Sequence, residues 1–80
     1  MKYKVGDKVV IRKDLIDGYL YDGETWVYLM DGFKGKELTI KSIEFDEWAT
    51  VSRGYKVYFY TMEEDTDNYE LAFTDAMIEE

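Results

Sequence analysis

The amino-acid sequence predicts a small all-β domain, a barrel of about five antiparallel strands with a long aromatic loop and a short C-terminal helical turn. Proline is absent, and the six glycines divide the chain into short segments. Within several of these segments apolar side chains recur at every second residue, as they do in strands. No long stretch has helical periodicity, and 80 residues can bury only one core. Residues 1–80 are therefore predicted to form a single domain.

The N-terminal part of the chain is predicted to form a strand and then a hairpin. Residues Lys8–Arg12 place Val9 and Ile11 on one face. Further along, Asp22 and Gly23 lie between two β-forming, aromatic-rich runs. Asp-Gly favours a type I′ turn, because both central residues of that turn need positive φ. The long aromatic loop is therefore predicted to contain an irregular hairpin.

The next strand is predicted over Lys36–Phe45, with a break in its pattern. Leu38 and Ile40 are in phase, but Ile43 and the final phenylalanine fall on the opposite parity. A one-residue bulge reverses which face the following side chains occupy. A bulge near Ser42 is therefore predicted, since it would turn all four apolar side chains inward.

The second half is predicted to contain two more strands, Tyr55–Tyr60 and Tyr69–Phe73, separated by an acidic turn. Residues 46–54 are interpreted as a connection that extends the preceding hairpin. Helix is expected only near Tyr28–Phe33 and in a terminal turn over Asp75–Ile78, which Thr74 would cap. Five aromatic side chains are expected in the core: Phe33, Phe45, Tyr55, Phe59 and Phe73.

Charge is distributed unevenly along the chain. Residues 1–43 hold eight basic and seven acidic side chains, whereas residues 44–80 hold two and eleven. An acidic surface repels phosphate backbones, so direct binding to nucleic acid is not expected. The N-terminal residues lack the apolar run of a signal peptide, and no segment approaches the roughly 20 apolar residues of a membrane helix. A soluble, cytoplasmic protein without membrane partners is expected.

The composition argues against catalysis. Histidine and cysteine are both absent, which removes the commonest general base, the thiol nucleophile and the usual zinc ligands. The acidic run that begins at Asp65 starts like a calcium loop but lacks the later oxygen ligands and the central glycine. We therefore expect a protein that is not an enzyme and that has no cofactor and no metal site.

Three segments carry a resemblance to a known family: Tyr3–Arg12 (YKVGDKVVIR), Phe33–Ile40 (FKGKELTI) and Phe73–Glu79 (FTDAMIE). In this order they resemble the small SH3-like barrel proteins of phage and Gram-positive bacteria, which are similar to the mind-bomb and KOW barrels. The resemblance implies an SH3-like barrel and a phage connection. Because related barrels mostly bind protein segments or nucleic acid, it also implies a binding role, although a fold does not define a site.

Fourteen aromatic side chains indicate a binding surface. In an SH3-like barrel the long loop lies beside the sheet, and grooves lined with Tyr and Trp hold extended or proline-rich peptides. The leading hypothesis is therefore a non-catalytic protein-binding module with an aromatic groove. Alternatively, the same rings cover a core too small to close by itself. The candidate groove residues are Tyr19, Tyr21, Trp26, Tyr28, Tyr58 and Tyr60.

The acidic second half supports another hypothesis, the charge-mimic hypothesis: the protein is an acidic phage inhibitor that imitates DNA and blocks a nucleic-acid-binding protein of the host. Clustered carboxylates can mimic a phosphate backbone, and small acidic phage proteins of this kind include inhibitors of nucleases and anti-CRISPR proteins. Alternatively, the charges serve only solubility. A structural domain of unknown role is a third alternative. The candidate acidic residues are Glu63, Glu64, Asp65 and Asp67.

Overall fold

The computed structural model describes residues 3–66 and 71–79. They form mostly short strands, in a three-stranded and a two-stranded antiparallel sheet, with little helix. The strands are β1 (Lys8–Val10), β2 (Leu20–Tyr21), β3 (Glu24–Thr25), β4 (Glu37–Phe45) and β5 (Tyr58–Met62). The helices are a 3-10 helix at Tyr28–Phe33, the α-helix α1 at Glu47–Arg53 and a terminal 3-10 helix at Asp75–Met77.

The main sheet has the order β1-β4-β5, and its central strand contains the predicted bulge. The pairing of β4 with β5 shifts register between Ile40 and Ser42. The shift keeps Ile40 buried and lets Ile43 pack against the core. Phe45 does not follow this pattern, because it is exposed and its ring packs edge-on against Tyr58 with 5.5 Å between ring centroids. The placement of Phe45 in the core was wrong.

The C-terminal segment contacts both edges of the main sheet, but only at single residue pairs. Ile11, directly after β1, pairs with Ile78, and Tyr60 of β5 pairs with Phe73. Neither bridge extends into a strand within the described residues, so these residues do not form a closed barrel. The mostly β prediction is confirmed at this coarser level. The predicted last strand, Tyr69–Phe73, lies partly outside the described residues, and its described end makes only the Phe73 bridge.

The second sheet is the predicted hairpin, formed by β2 and β3. Asp22 and Gly23 have φ values of 54° and 87°, as a type I′ turn requires. Thr74 does not cap the terminal helical turn as predicted, because its Oγ1 donates instead to the Tyr21 carbonyl at 2.9 Å. That bond ties the hairpin to the C-terminal segment.

The connection after β4 contains a helix, which the sequence interpretation missed. The Asp46 side chain accepts a hydrogen bond from the Ala49 backbone N–H at 2.9 Å, and Gly54 ends the helix with a φ of 79°. An Asp N-cap and a left-handed glycine after the last turn are ordinary helix ends. The prediction that helix is restricted to two other places was therefore wrong, although both of those places are helical.

The strand β5 begins later than predicted, and its inward parity differs. Tyr60 and Met62 are buried, whereas Tyr55 is exposed and Phe59 is half-buried outside the core cluster. Residues 55–57 lead the chain back from α1, so regular pairing starts only at Tyr58. The placement of Tyr55 and Phe59 in the core was wrong.

Aromatic rings meet edge-on at the centre of the core. The Phe73 ring lies 6.2 Å from that of Trp26 and 5.9 Å from that of Phe33, measured between centroids. Edge-on packing of this kind adds to the burial of each ring. The predicted core positions of Phe33 and Phe73 are confirmed, since Phe73 is buried and Phe33 packs against the core cluster.

Candidate functional site

The six aromatic residues predicted to line a groove lie in three different environments. Two are exposed, two are half-buried and two are buried. In that order, the pairs are Tyr19 and Tyr28, Tyr21 and Tyr58, and Trp26 and Tyr60. A buried ring cannot contact a partner of the folded chain. The structure therefore does not bring these six side chains together as one exposed groove.

The two buried members of that set have structural contacts. The Trp26 indole N–H donates to Asp31 Oδ1 at 2.8 Å, and the Tyr60 hydroxyl donates to Asp75. Burial raises the pKa of Tyr60, and the Asp75 carboxylate raises it further. For these two rings the alternative interpretation, that they belong to the core, describes the structure.

The predicted acidic surface is partly engaged in local structure. The Glu64 carboxylate accepts hydrogen bonds from the Thr39 backbone N–H at 2.8 Å and from the Thr39 hydroxyl at 3.0 Å. Asp65 accepts one from the Leu71 backbone N–H at 3.0 Å. Glu64 thus links the end of β5 to β4, and Asp65 links it to Leu71. Glu63 is exposed, and Asp67 lies outside the described residues, so the charge-mimic hypothesis stays a prediction.

The tip of the β2–β3 hairpin packs directly against α1. A Cβ atom added to Gly23 would lie 2.6 Å from the Ala49 Cβ, which is far inside van der Waals contact. Beside this contact, the Tyr55 hydroxyl donates to Asp22 Oδ1 at 3.2 Å. Gly23 therefore meets two local needs, a positive φ in the turn and a close approach to the helix.

Three apolar side chains point into solvent around this junction. Trp48 and Val51 of α1 are 85% and 76% exposed, and Leu20 of β2 is 60% exposed. Leu20 and Trp48 line one groove of about 420 Å³, here called the junction groove. Trp48 and Val51 line a second groove of about 250 Å³, here called the helix groove. We refer to Leu20, Trp48 and Val51 together as the helix patch.

Sequence reasoning missed the helix patch because it missed α1. Trp48 and Val51 are three residues apart, so they share a face on a helix but lie on opposite faces of a strand. Tryptophan, threonine and valine between residues 46 and 54 favour strand, which obscured the helix. The Asp at position 46 and the Gly at position 54 were the available signals for a short helix.

A pair of carboxyl groups joins the hairpin to α1. Glu24 of β3 and the N-cap residue Asp46 both line the junction groove. Partial burial raises the pKa of Glu24 to about 7, and its hydrogen bond to Asp46 contributes to the increase. The same hydrogen bond lowers the pKa of Asp46, and the Ala49 backbone N–H lowers it further. Near neutral pH, Glu24 therefore exchanges between a protonated form that donates to Asp46 and a charged form that repels it.

This pair predicts a fold that weakens as the pH rises. Unfolded Glu24 loses its proton near pH 4.5, whereas folded Glu24 keeps it to about pH 7. The protonated form thus favours folding fully below pH 4.5, and that contribution is lost as the pH rises to about 7. Solvent screening at this partly exposed site limits the expected loss to about 1 kcal/mol. Glu24→Gln should remove it, because glutamine keeps a donor for Asp46.

Urea unfolding at several pH values measures this effect. From about pH 5 to about pH 8, the free energy of unfolding of Glu24→Gln should rise relative to that of the parent. A constant difference between the two proteins over that range would contradict the assignment of Glu24.

Three features are absent from the part of the chain that the structure describes. Within residues 3–66 and 71–79, no group of three or more His, Cys, Asp or Glu residues converges as a metal site would require. Over the same ranges, no helix is long and apolar enough to cross a membrane. Buried side-chain nitrogen and oxygen atoms in this part of the chain all have hydrogen-bond partners.

Comparison of the chain with known proteins finds no match. No family model matches the chain, and no curated protein or solved structure is significantly similar to it. The resemblance to SH3-like barrels therefore stays an expectation from the sequence. The helix patch, with Glu24, Asp46 and Glu47 in the grooves beside it, is the surface considered for a function.

Proposed function

We propose that this protein is a non-catalytic protein-binding module and that the helix patch is its binding surface. The observation that carries the proposal is the 85% exposure of Trp48. A large apolar side chain is seldom left in water to that extent, and clustered exposed apolar residues mark interaction sites. Tryptophan is also among the residues most enriched at interface hot spots. Val51 and Leu20 extend the apolar surface on either side of the ring.

The short helix that carries the patch is held at several points. Its ends are capped by Asp46 and Gly54. On its inner side the Thr50 Oγ1 accepts a hydrogen bond from the Val57 backbone N–H at 2.8 Å, and Ala49 packs against the hairpin tip. A surface ordered before binding loses less conformational entropy when the partner arrives. A helix as short as α1 is not stable on its own, so these contacts are what keep it folded before a partner binds. The ordered patch supports the proposal.

The finer expectations from the sequence belong to the same proposal. We propose that the β1-β4-β5 sheet, with the C-terminal segment bridging both edges, is an open form of the SH3-like barrel. A phage connection and a cytoplasmic location complete it, and both rest on the sequence alone.

Truncation of Trp48 is expected to remove most of the binding. Peptides of about twelve residues, selected against the parent protein from a random display library, should bind Trp48→Ala at least about tenfold more weakly. That factor corresponds to about 1.4 kcal/mol, which is ordinary for a hot-spot ring. Because Trp48 is exposed, the variant should remain as stable as the parent to within about 0.5 kcal/mol. Fluorescence anisotropy of labelled peptides measures the affinity.

Tyr28→Ala is the matched control for this experiment. Tyr28 is 72% exposed, lies on the first 3-10 helix and was part of the groove predicted from the sequence. The selected peptides should bind this variant as they bind the parent. If Tyr28→Ala or Tyr19→Ala removes binding while Trp48→Ala does not, the aromatic loop is the surface and the proposal is wrong. A library that gives no peptide sensitive to Trp48→Ala also contradicts it.

A further inference from the structure

We propose that the helix patch takes a basic segment of a partner protein, in which an apolar side chain is flanked by lysine or arginine. This inference rests on the function proposed above and specifies the chemistry of the partner. Its basis is the charge of the two grooves that border Trp48. Their charged lining consists of three carboxylates and one cation, namely Glu24, Asp46, Glu47 and Arg53.

The carboxylates lie in both grooves that the indole ring of Trp48 borders. In the junction groove, Glu24 and Asp46 share the lining with Trp48. In the helix groove, Glu47 shares it. A segment that crosses the ring therefore meets at least one carboxyl group in each groove, while Arg53 is the cation that lines the junction groove. A lysine or arginine beside a tryptophan also gains cation–π attraction, and arginine can bind a carboxylate through two parallel hydrogen bonds.

The same charges disfavour the other occupants of an exposed apolar surface. In a symmetric dimer the patch of one copy would face that of the second, so the carboxylates of both copies would be brought together. With a net charge of −8, two copies also repel one another at long range. Nucleic acid would place phosphates against the same carboxylates. A basic protein segment is the occupant that complements both the apolar and the charged part of this surface.

Because Glu24 titrates, affinity for a basic segment should depend on pH, which affinity for a purely apolar patch would not. A cation that enters the junction groove favours the charged form of Glu24, so binding should release a proton when the pH is near or below about 7. Affinity for a basic segment should therefore rise between about pH 6 and about pH 8, and Glu24→Gln should abolish that rise. The charged residues that face Glu24 across its two adjoining grooves are Asp46, Arg53, Lys41, Glu44 and Asp65.

The experiment uses three synthetic peptides of one length, each with a central leucine and phenylalanine. These apolar residues are flanked by lysine and arginine in the first peptide, by glutamine in the second and by glutamate in the third. Isothermal titration with the full chain at low salt should give about tenfold tighter binding of the basic than of the neutral peptide. The preference should shrink at high salt, because screening weakens attraction between exposed charges. The acidic peptide should bind more weakly than the neutral one.

Variants that remove one charge test whether the basic peptide binds beside Trp48. Glu47→Gln should weaken binding of the basic peptide about two- to fivefold and leave the neutral peptide unchanged. Glu63→Gln is the matched control, because Glu63 is an exposed carboxylate whose backbone pairs with Thr39, near the end of β4 that lies away from α1. That variant should bind both peptides as the parent does.

The possible outcomes separate this inference from the function on which it rests. If the peptides bind and Trp48→Ala has no effect on any of them, both the proposed surface and this inference are wrong. A second outcome is that binding depends on Trp48 while the basic and neutral peptides bind equally, or while Glu63→Gln has a larger effect than Glu47→Gln. In either case the helix patch remains the proposed surface, and the inference of a basic segment is wrong. Self-association of the parent chain that Trp48→Ala abolishes in sedimentation would make a second copy the occupant and overturn the inference.

Discussion

Trp26→Ala is expected to lower the free energy of unfolding by about 3 to 5 kcal/mol, as for other large rings removed from a core. The Trp26 side chain is buried, packs edge-on against Phe73 and donates its indole N–H to Asp31. Truncation leaves a cavity and removes a hydrogen-bond donor at the same time. Small domains have a total stability of only about 5 to 15 kcal/mol, so this variant should unfold at a much lower urea concentration than the parent.

Two further substitutions make that result interpretable. Trp26→Phe keeps a ring in the core but loses the N–H, so the variant should stay folded with a loss of about 1 to 3 kcal/mol. Trp48→Ala should cost no more than about 0.5 kcal/mol, because its ring is exposed. Urea unfolding followed by far-UV circular dichroism compares all three without depending on indole fluorescence. A cost for Trp48→Ala equal to that for Trp26→Ala would place Trp48 in the core and contradict the helix patch.

Gly23→Ala is expected to cost about 2 to 4 kcal/mol. The new methyl group would lie 2.6 Å from the Ala49 Cβ, and the position has a φ of 87° that alanine tolerates poorly. Neither Cβ belongs to a flexible side chain that could turn away. The hairpin tip and α1 must therefore separate, which would also disturb the contact of Glu24 with Asp46.

Gly18→Ala is the control for the cost of placing alanine at a positive φ. Gly18 has a nearly equal φ of 85° but nothing within 4 Å of an added Cβ, so its substitution should cost only about 1 to 2 kcal/mol. In the Gly23→Ala background, Ala49→Gly removes the opposing methyl group and should restore part of the loss, measured as a double-mutant cycle. If Gly23→Ala costs no more than Gly18→Ala, the hairpin does not pack on α1 as described.

Features that depend on a few neighbouring residues could be predicted from the sequence. The type I′ turn needs only an Asp-Gly pair between two β-forming runs, and it is found at Asp22 and Gly23. The bulge in β4 follows from a change of parity within one strand, and it is found between Ile40 and Ser42. In both cases the chain itself carries the whole physical cause, so no long-range contact is needed to infer it.

The candidate site could not be predicted because it depends on how distant segments pack. Trp26 and Trp48 both lie in β-forming, aromatic-containing runs, yet one is in the core and the other is in solvent. Tyr60 was predicted on the outer face because a single alternation was drawn from Tyr55 through the strand. Val57 is buried but precedes β5, so it does not set the parity of the strand, in which Tyr60 and Met62 point inward. Once residues 46–54 are recognised as a helix between its two caps, the exposed face with Trp48 and Val51 follows from helical geometry.

The two tryptophan indole N–H resonances, followed by nuclear magnetic resonance while a display-selected peptide is added, report directly on whether Trp48 forms the binding surface. Trp26, whose N–H is buried and bonded to Asp31, serves as an internal reference in the same molecule. If the helix patch is the binding surface, the Trp48 resonance shifts and saturates with peptide while the Trp26 resonance stays in place. A Trp48 resonance that does not move at saturating peptide, with shifts at the amides of Tyr19 and Tyr28 instead, would contradict the helix patch as the binding surface.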